Sequence, residues 1–233
     1  MTNSQKIKKL VGLATLTALV VGLQFLSNYV SFGSVSITLA LIPVAVGAIL
    51  YGPLAGLFLG AVMGGIALAA PSTLGFLQYN VGLTILLCLV KTSVAGLVSG
   101  LLFKLFANIA KKQSETNKKK MLFATGIIVA ALVVPVINTG IFIVGATIIY
   151  NGYSVVLEDG SVIYPFASLG LTISAIITAN FLIEFLVSAI LSPALVTLVQ
   201  VLTRQNDLGF QKEFQNFIFD DEDLDIETVS VNA

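Results

Sequence analysis

The chain has 233 residues, 57% of them hydrophobic and only 10% charged, with a mean hydropathy of +0.99. A soluble domain is about 45–50% apolar and about 25% charged, so this composition excludes a soluble enzyme, a nucleic-acid binder or a disordered chain as a reading of the whole. An integral membrane protein remains. Net charge is zero, so no global basic field draws nucleic acid. There is no histidine, which removes His-based metal sites, Ser-His-Asp triads and His proton relays, and the single Cys88 excludes an intrachain disulfide framework.

A hydrocarbon core about 30 Å thick needs about 20 apolar residues per helix. Six apolar runs answer to this, over residues 10–26, 35–50, 54–70, 81–106, 121–150 and 166–202. They predict an all-α integral membrane fold, a bundle of six transmembrane helices. The first run follows Lys6, Lys8 and Lys9 as a signal peptide would, but no small-x-small cleavage site follows it, so it is read as a retained helix. The second and third runs are short and separated only by Tyr51-Gly52-Pro53, a tight helical hairpin with Pro53 suited to a first helical turn. With the N-terminus inside, the cytoplasmic segments hold eleven of the twelve basic residues, and the outer segments 27–34, 71–80 and 151–165 hold none. This asymmetry predicts that both termini are cytoplasmic. The chain then divides into a cytoplasmic N-terminus at 1–9, a membrane domain at 10–203 and a cytoplasmic acidic tail at 204–233. The tail, with Asp220-Asp221-Glu222-Asp223, lacks the apolar burial that would order it.

Small residues recur every four positions on three of the runs: Ala14, Ala18 and Gly22; Gly56, Gly60 and Gly64; Gly96 and Gly100. Each stripe lets another helix approach closely, and packing within the bundle is the simplest use of all three.

Ionisable groups are expensive in hydrocarbon, about 2.5–3.5 kcal/mol for a central Lys or Asp on insertion scales. Lys91 is the twelfth basic residue and lies ten residues into the fourth run; Glu184 is the single acidic residue of the six runs. Asn180 lies one turn before Glu184 on the same face, and Asn138 follows Pro135 in the fifth run. Three consecutive helices therefore carry polar groups that lipid rejects, and these are expected to face one another. Two readings stay open: a Lys91–Glu184 pair that only neutralises itself, and the wall of a ligand site. In the second, Lys91 suits an anionic solute, Asn138 and Asn180 suit hydroxyl or amide groups, and Gln78, Tyr79 and Asn80 lie at the mouth. No phosphate-binding G-x-x-x-x-G-K-[ST] loop and no G-x-S-x-G elbow is present in the sequence, and no carboxylate cluster suitable for a metal is visible in the spans. No catalytic residue, cofactor or metal site is therefore assigned.

Three motifs in chain order then become recognisable. Leu41-Ile42-Pro43 is followed by Gly52-Pro53-Leu54-Ala55-Gly56 and a glycine-rich helix; Pro135-Val136-Ile137-Asn138-Thr139 lies in the fifth run; Asn180-Phe181-Leu182-Ile183-Glu184, with Ser192-Pro193 downstream, lies in the sixth. Together they resemble the substrate-binding S components of energy-coupling-factor (ECF) vitamin transporters over residues 10–202. The resemblance implies a six-helix bundle that binds a vitamin or related micronutrient near its outer face. It also implies a membrane coupling subunit and two cytoplasmic ATPases as partners, with no enzymatic activity in this chain and the bacterial plasma membrane as its location. The family's alanine-x-x-x-alanine docking motif maps onto Ala14 and Ala18, with Gly22 extending it. Pantothenate, an anion with hydroxyl and amide groups, is the leading ligand; Glu184 opposes an anion unless it pairs with Lys91. The rival readings are an ion-coupled secondary carrier or channel and a non-transport membrane scaffold.

Overall fold

The computed structural model describes residues 3–29, 31–32, 35–36, 38–149, 154–156, 162–163 and 171–204. The acidic tail and the start of the sixth apolar run at 166–170 lie outside the described residues.

The first apolar run, preceded by its lysines, is one helix, α1 (Asn3–Tyr29). A two-residue antiparallel hairpin follows, β1 (Ser31–Phe32) against β2 (Val35–Ser36), with Ser31 opposite Ser36. This corrects the expected start of the second run. Its first residues, Val35 and Ser36, are strand, and α2 (Leu41–Tyr51) begins only at Leu41. β-Branched Val35, Ile37 and Thr38 favour extended backbone over helix, and Pro43 falls in the first turn of α2, where a missing N–H costs nothing.

α2 ends at Gly52, whose φ of 94° lies in the left-handed region that only glycine enters without strain. The Gly52 N–H reaches the Ala48 carbonyl at 3.1 Å, its own carbonyl accepts from Gly56 N–H at 3.0 Å, and Pro53 opens α3 (Pro53–Ala67). One residue thus turns the chain, as the Gly-Pro spacing predicts.

The stretch expected to be an outer loop contains a short helix, α4 (Pro71–Tyr79), again started by proline. Gln78 and Tyr79 are therefore helical, not loop. Asn80 alone separates α4 from α5 (Val81–Lys111), and its side-chain oxygen caps α5 by accepting Leu83 N–H at 3.0 Å. α6 (Thr116–Ile149) contains Pro135, a second hairpin pairs β3 (Val155–Val156) with β4 (Val162–Ile163), and α7 (Leu171–Arg204) contains Pro193.

Among the described residues four helical segments are long and apolar enough to cross a membrane: Lys9–Asn28, Val81–Lys111, Thr116–Ile148 and Asn180–Thr197; α2 and α3 are shorter apolar helices of 11 and 15 residues. α5 packs mainly on α3 and α6, and α6 also on α7. The core between them holds Val20, Val44, Ile49, Leu59, Phe103, Ile127, Val134 and Val199. The α3–α5 seam is glycine against backbone: a methyl group on Gly56, Gly60 or Gly64 would collide with α5 main chain at Gly96, Thr92 or Cys88. Buried Ser99 ties α5 to α6 by donating to the Ala130 carbonyl at 2.7 Å. The exterior is the reverse of a soluble protein's, with Leu54, Leu105, Val144, Ile148, Leu186 and Ile190 more than half exposed. Lipid accepts such a surface and water does not.

Candidate functional site

Lys91 stands about a third of the way along α5. Its Nζ lies 4.7 Å from the centroid of the Phe142 ring of α6, close enough for a cation–π contact. Phe142 is itself held edge-on by Phe76 of α4, with centroids 5.8 Å apart and an interplanar angle of 85°. Among the described residues no direct ion pair joins Lys91 to Glu184, whereas Lys118 and Glu115 do pair, on the surface. The ammonium head is thus placed by aromatic rings from two other helices.

Asn138 lies one turn before Phe142 on α6, so both side chains share a face. It is only 7% exposed, and its Oδ1 is buried with no hydrogen-bond partner among the described residues. Pro135, three residues earlier, has no N–H for the Ala131 carbonyl, which loosens the helix ladder at this level. An unmet acceptor at a buried site costs about 1–3 kcal/mol.

Glu184 on α7 is likewise 7% exposed. Thr38 and Lys91 lie near enough to act on its carboxyl group. Asn180 is half-buried one turn above, and Ser188 and Ser192 continue the same stripe one and two turns below, with the Ser192 hydroxyl donating to the Ser188 carbonyl at 2.7 Å. Lys91 and Phe142 thus meet between α5 and α6, Asn138 shares the Phe142 face of α6, and the carboxyl group of Glu184 on α7 is within electrostatic reach of Lys91.

The mouth residues stand apart. Gln78 and Asn80 are exposed, Asn80 is engaged in capping α5, and neither hydrogen-bonds to Lys91, Asn138 or Glu184; the side chain of Tyr79 is outside the described residues.

Two groups escaped the sequence reading. Thr38 and Phe142 are partners that only tertiary packing reveals. The second group, at the C-terminal end of α1, had a legible signal in its i, i+4 spacing. Gln24 donates to Asn28 Oδ1 at 3.0 Å, Asn28 reaches the Ile66 carbonyl of α3 at 3.4 Å, and Ser27 Oγ accepts Leu39 N–H at 3.1 Å.

On the other side of α1, Ala14, Ala18 and Gly22 are all exposed, and a side chain added at Gly22 would meet nothing within 4 Å. α1 packs inward instead through Gly12 against Tyr51 and through Leu16, Val20 and Leu23. The alanine stripe is therefore not used for packing among the described residues, unlike the glycine stripe of α3.

No curated protein and no solved structure matches the chain. A family model does: the one described as the substrate-specific component of ECF transporters matches residues 8–196. That span takes in the α1 stripe, the Gly52-Pro53 turn and the polar residues of α5, α6 and α7 alike. The chain belongs to the family of ECF transporter substrate-specific components, membrane proteins that bind a substrate and carry out no chemistry on it.

Proposed function

We propose that this chain is the vitamin-binding subunit of an ECF importer in a bacterial plasma membrane, a six-span bundle with both termini in the cytoplasm. Its ligand is a vitamin or related micronutrient carrying an anionic group, with pantothenate the first candidate. Lys91 meets the anion, Asn138 and Asn180 meet hydroxyl or amide groups, Glu184 bounds the site on α7, and Gln78, Tyr79 and Asn80 lie at the mouth. The face with Ala14, Ala18 and Gly22 docks on a membrane coupling subunit, which is joined to two cytoplasmic ATPases.

One observation carries this reading: among the described residues, a cation fixed over Phe142 without an ion pair stands one helix away from a buried amide oxygen with no donor. Lys91 and Asn138 together offer what an anion bearing an N–H or O–H group needs. The outward position of the α1 stripe supports docking, because close helix approach requires small side chains on an open face.

Native mass spectrometry of gently purified protein tests the ligand. The expected result is a retained small molecule with an acidic group, displaced by added pantothenate if pantothenate is the substrate. Retention of a neutral or cationic compound would contradict the role given to Lys91.

A further inference from the structure

The chain carries no net charge, but its charges are gathered into two opposite groups. Five of the twelve basic residues, Lys111, Lys112, Lys118, Lys119 and Lys120, lie within ten positions, with Glu115 as the one acidic residue among them. Eight of the twelve acidic residues follow Arg204, six of them within residues 220–227, against the single Lys212. The family match ends at residue 196, before this tail begins, whereas the lysines lie within it.

The lysines stand at the junction of α5 and α6, and all five are exposed. Glu115 serves Lys118 at 3.3 Å, while Lys112, Lys119 and Lys120 have no ion pair among the described residues. Three of the lysines fall within the first five residues of α6, whose first turn holds no acidic residue. That is the positive end of the helix dipole, where added cations are disfavoured. The junction is thus a basic surface with charge left over.

The tail leaves the bundle at the same end. α6 and α7 have 34 residues each and pack on one another. α7 follows from the far end of α6 and runs back along it, so its C-terminal end returns to the level of the junction. Its Leu195 and Val199 accordingly lie in one core with Phe103 and Ala107 of α5 and Ile127 of α6. Asp220 is sixteen residues past Arg204, a reach of at most about 55 Å. A partner tethered in this way acts at an effective concentration of about millimolar, which favours it over an untethered one.

We propose that the acidic tail, through residues 220–227, docks on the lysine-bearing junction of α5 and α6 in the same chain. The two opposite charge groups then satisfy each other, and another anionic surface reaches these lysines only by displacing the tail. The docking is independent of which ligand the membrane domain binds.

The test uses the full chain in phosphatidylcholine nanodiscs. Ser114→Cys places a thiol at the exposed junction and Leu224→Cys one in the acidic segment; native Cys88 is buried in α5, and disulfides are assigned by peptide mass. The rate of intrachain disulfide formation is divided by the N-ethylmaleimide rate of each thiol, so that a change in thiolate fraction cancels. Lys112→Gln with Lys119→Gln and Lys120→Gln is expected to slow it about fivefold to tenfold, each of three exposed charge pairs giving about twofold. Asp220→Asn with Asp221→Asn and Asp223→Asn leaves the junction intact and is expected to slow it equally. Both sets together are expected to slow it by no more than about twofold beyond either alone, because each removes the same pairing. Salt at about 1 M, where the Debye length is about 3 Å, is expected to bring the parent pair to the rate of the substituted ones. In nanodiscs of equal phosphatidylcholine and phosphatidylglycerol the parent rate is expected to hold within about twofold. The docking is overturned by parent rates in either substituted set, by slowing that multiplies when the sets are combined, or by a parent rate that salt leaves unchanged. Disulfides found only between chains would overturn it in favour of a second copy. A fall in phosphatidylglycerol to the rate of the lysine set would overturn it and give the junction to lipid headgroups.

Discussion

Lys91 Nζ sits 4.7 Å from the centre of the Phe142 ring, and the residue one turn before Phe142 on α6 is Asn138, whose buried Oδ1 has no donor among the described residues. A cation on α5 and an amide on α6 are thus placed side by side by one aromatic ring. Lys91→Met is expected to lower affinity for an anionic vitamin by about ten- to hundredfold, the equivalent of a charged hydrogen bond of about 1.5–3 kcal/mol. Phe142→Leu leaves the charge but removes what positions it, and a smaller loss is expected, up to about tenfold. Isothermal titration with both variants checks the order; a larger loss in Phe142→Leu would make the ring itself the ligand contact.

Asn138→Leu removes an acceptor that has no partner among the described residues. Thermal unfolding of the solitary subunit is therefore expected to be unchanged or shifted upward, because the buried unmet group costs about 1–3 kcal/mol. Ligand binding is expected to fall in the same protein. A variant that unfolds at lower temperature and still binds would show that Asn138 serves packing alone.

The two small-residue stripes are expected to respond in opposite ways. Gly60→Ala places a methyl group against the Thr92 backbone, and overpacking of this kind costs about 1–3 kcal/mol, read as a lower melting temperature. Ala14→Leu with Ala18→Leu adds bulk on an open face, so folding and ligand binding by the solitary subunit are expected to survive. ATP-dependent uptake with the coupling subunit and ATPases is expected to fall by about tenfold or more. Equal loss of binding and uptake in the alanine variant would return that stripe to bundle packing.

Much of this was legible in the chain because the composition leaves so few polar residues to place. Lys91, Asn138 and Glu184 stand out in runs whose neighbours are mostly apolar, and Gly52-Pro53 announces its own turn. The start of α2 was not legible. Val35 is as apolar as the helix that follows, so a hydropathy run cannot tell a strand from the head of a helix. Pro71 did signal α4, but Ser72, Thr73, Gln78 and Asn80 read as loop polarity. The partners were out of reach for a different reason. Phe142 and Thr38 are separated by many residues from Lys91 and Glu184, and no local pattern pairs them. The glycine stripe of α3 and the alanine stripe of α1 look alike in sequence; only the packing separates a stripe against main chain from one that faces outward.

The central claim is that Lys91 meets an anionic vitamin and does more than neutralise Glu184, and the double variant Lys91→Met with Glu184→Gln tests it most directly. A pair that only neutralised itself would cost about 3–5 kcal/mol when either charge is removed alone, and would regain stability and full binding when both are removed. The measurement is the equilibrium affinity of the purified double variant for pantothenate, at a melting temperature matched to the parent. The expected result is a folded protein in which the affinity of the parent is lost by about tenfold or more. Parent affinity in a stable double variant would contradict the account and remove Lys91 from the binding site.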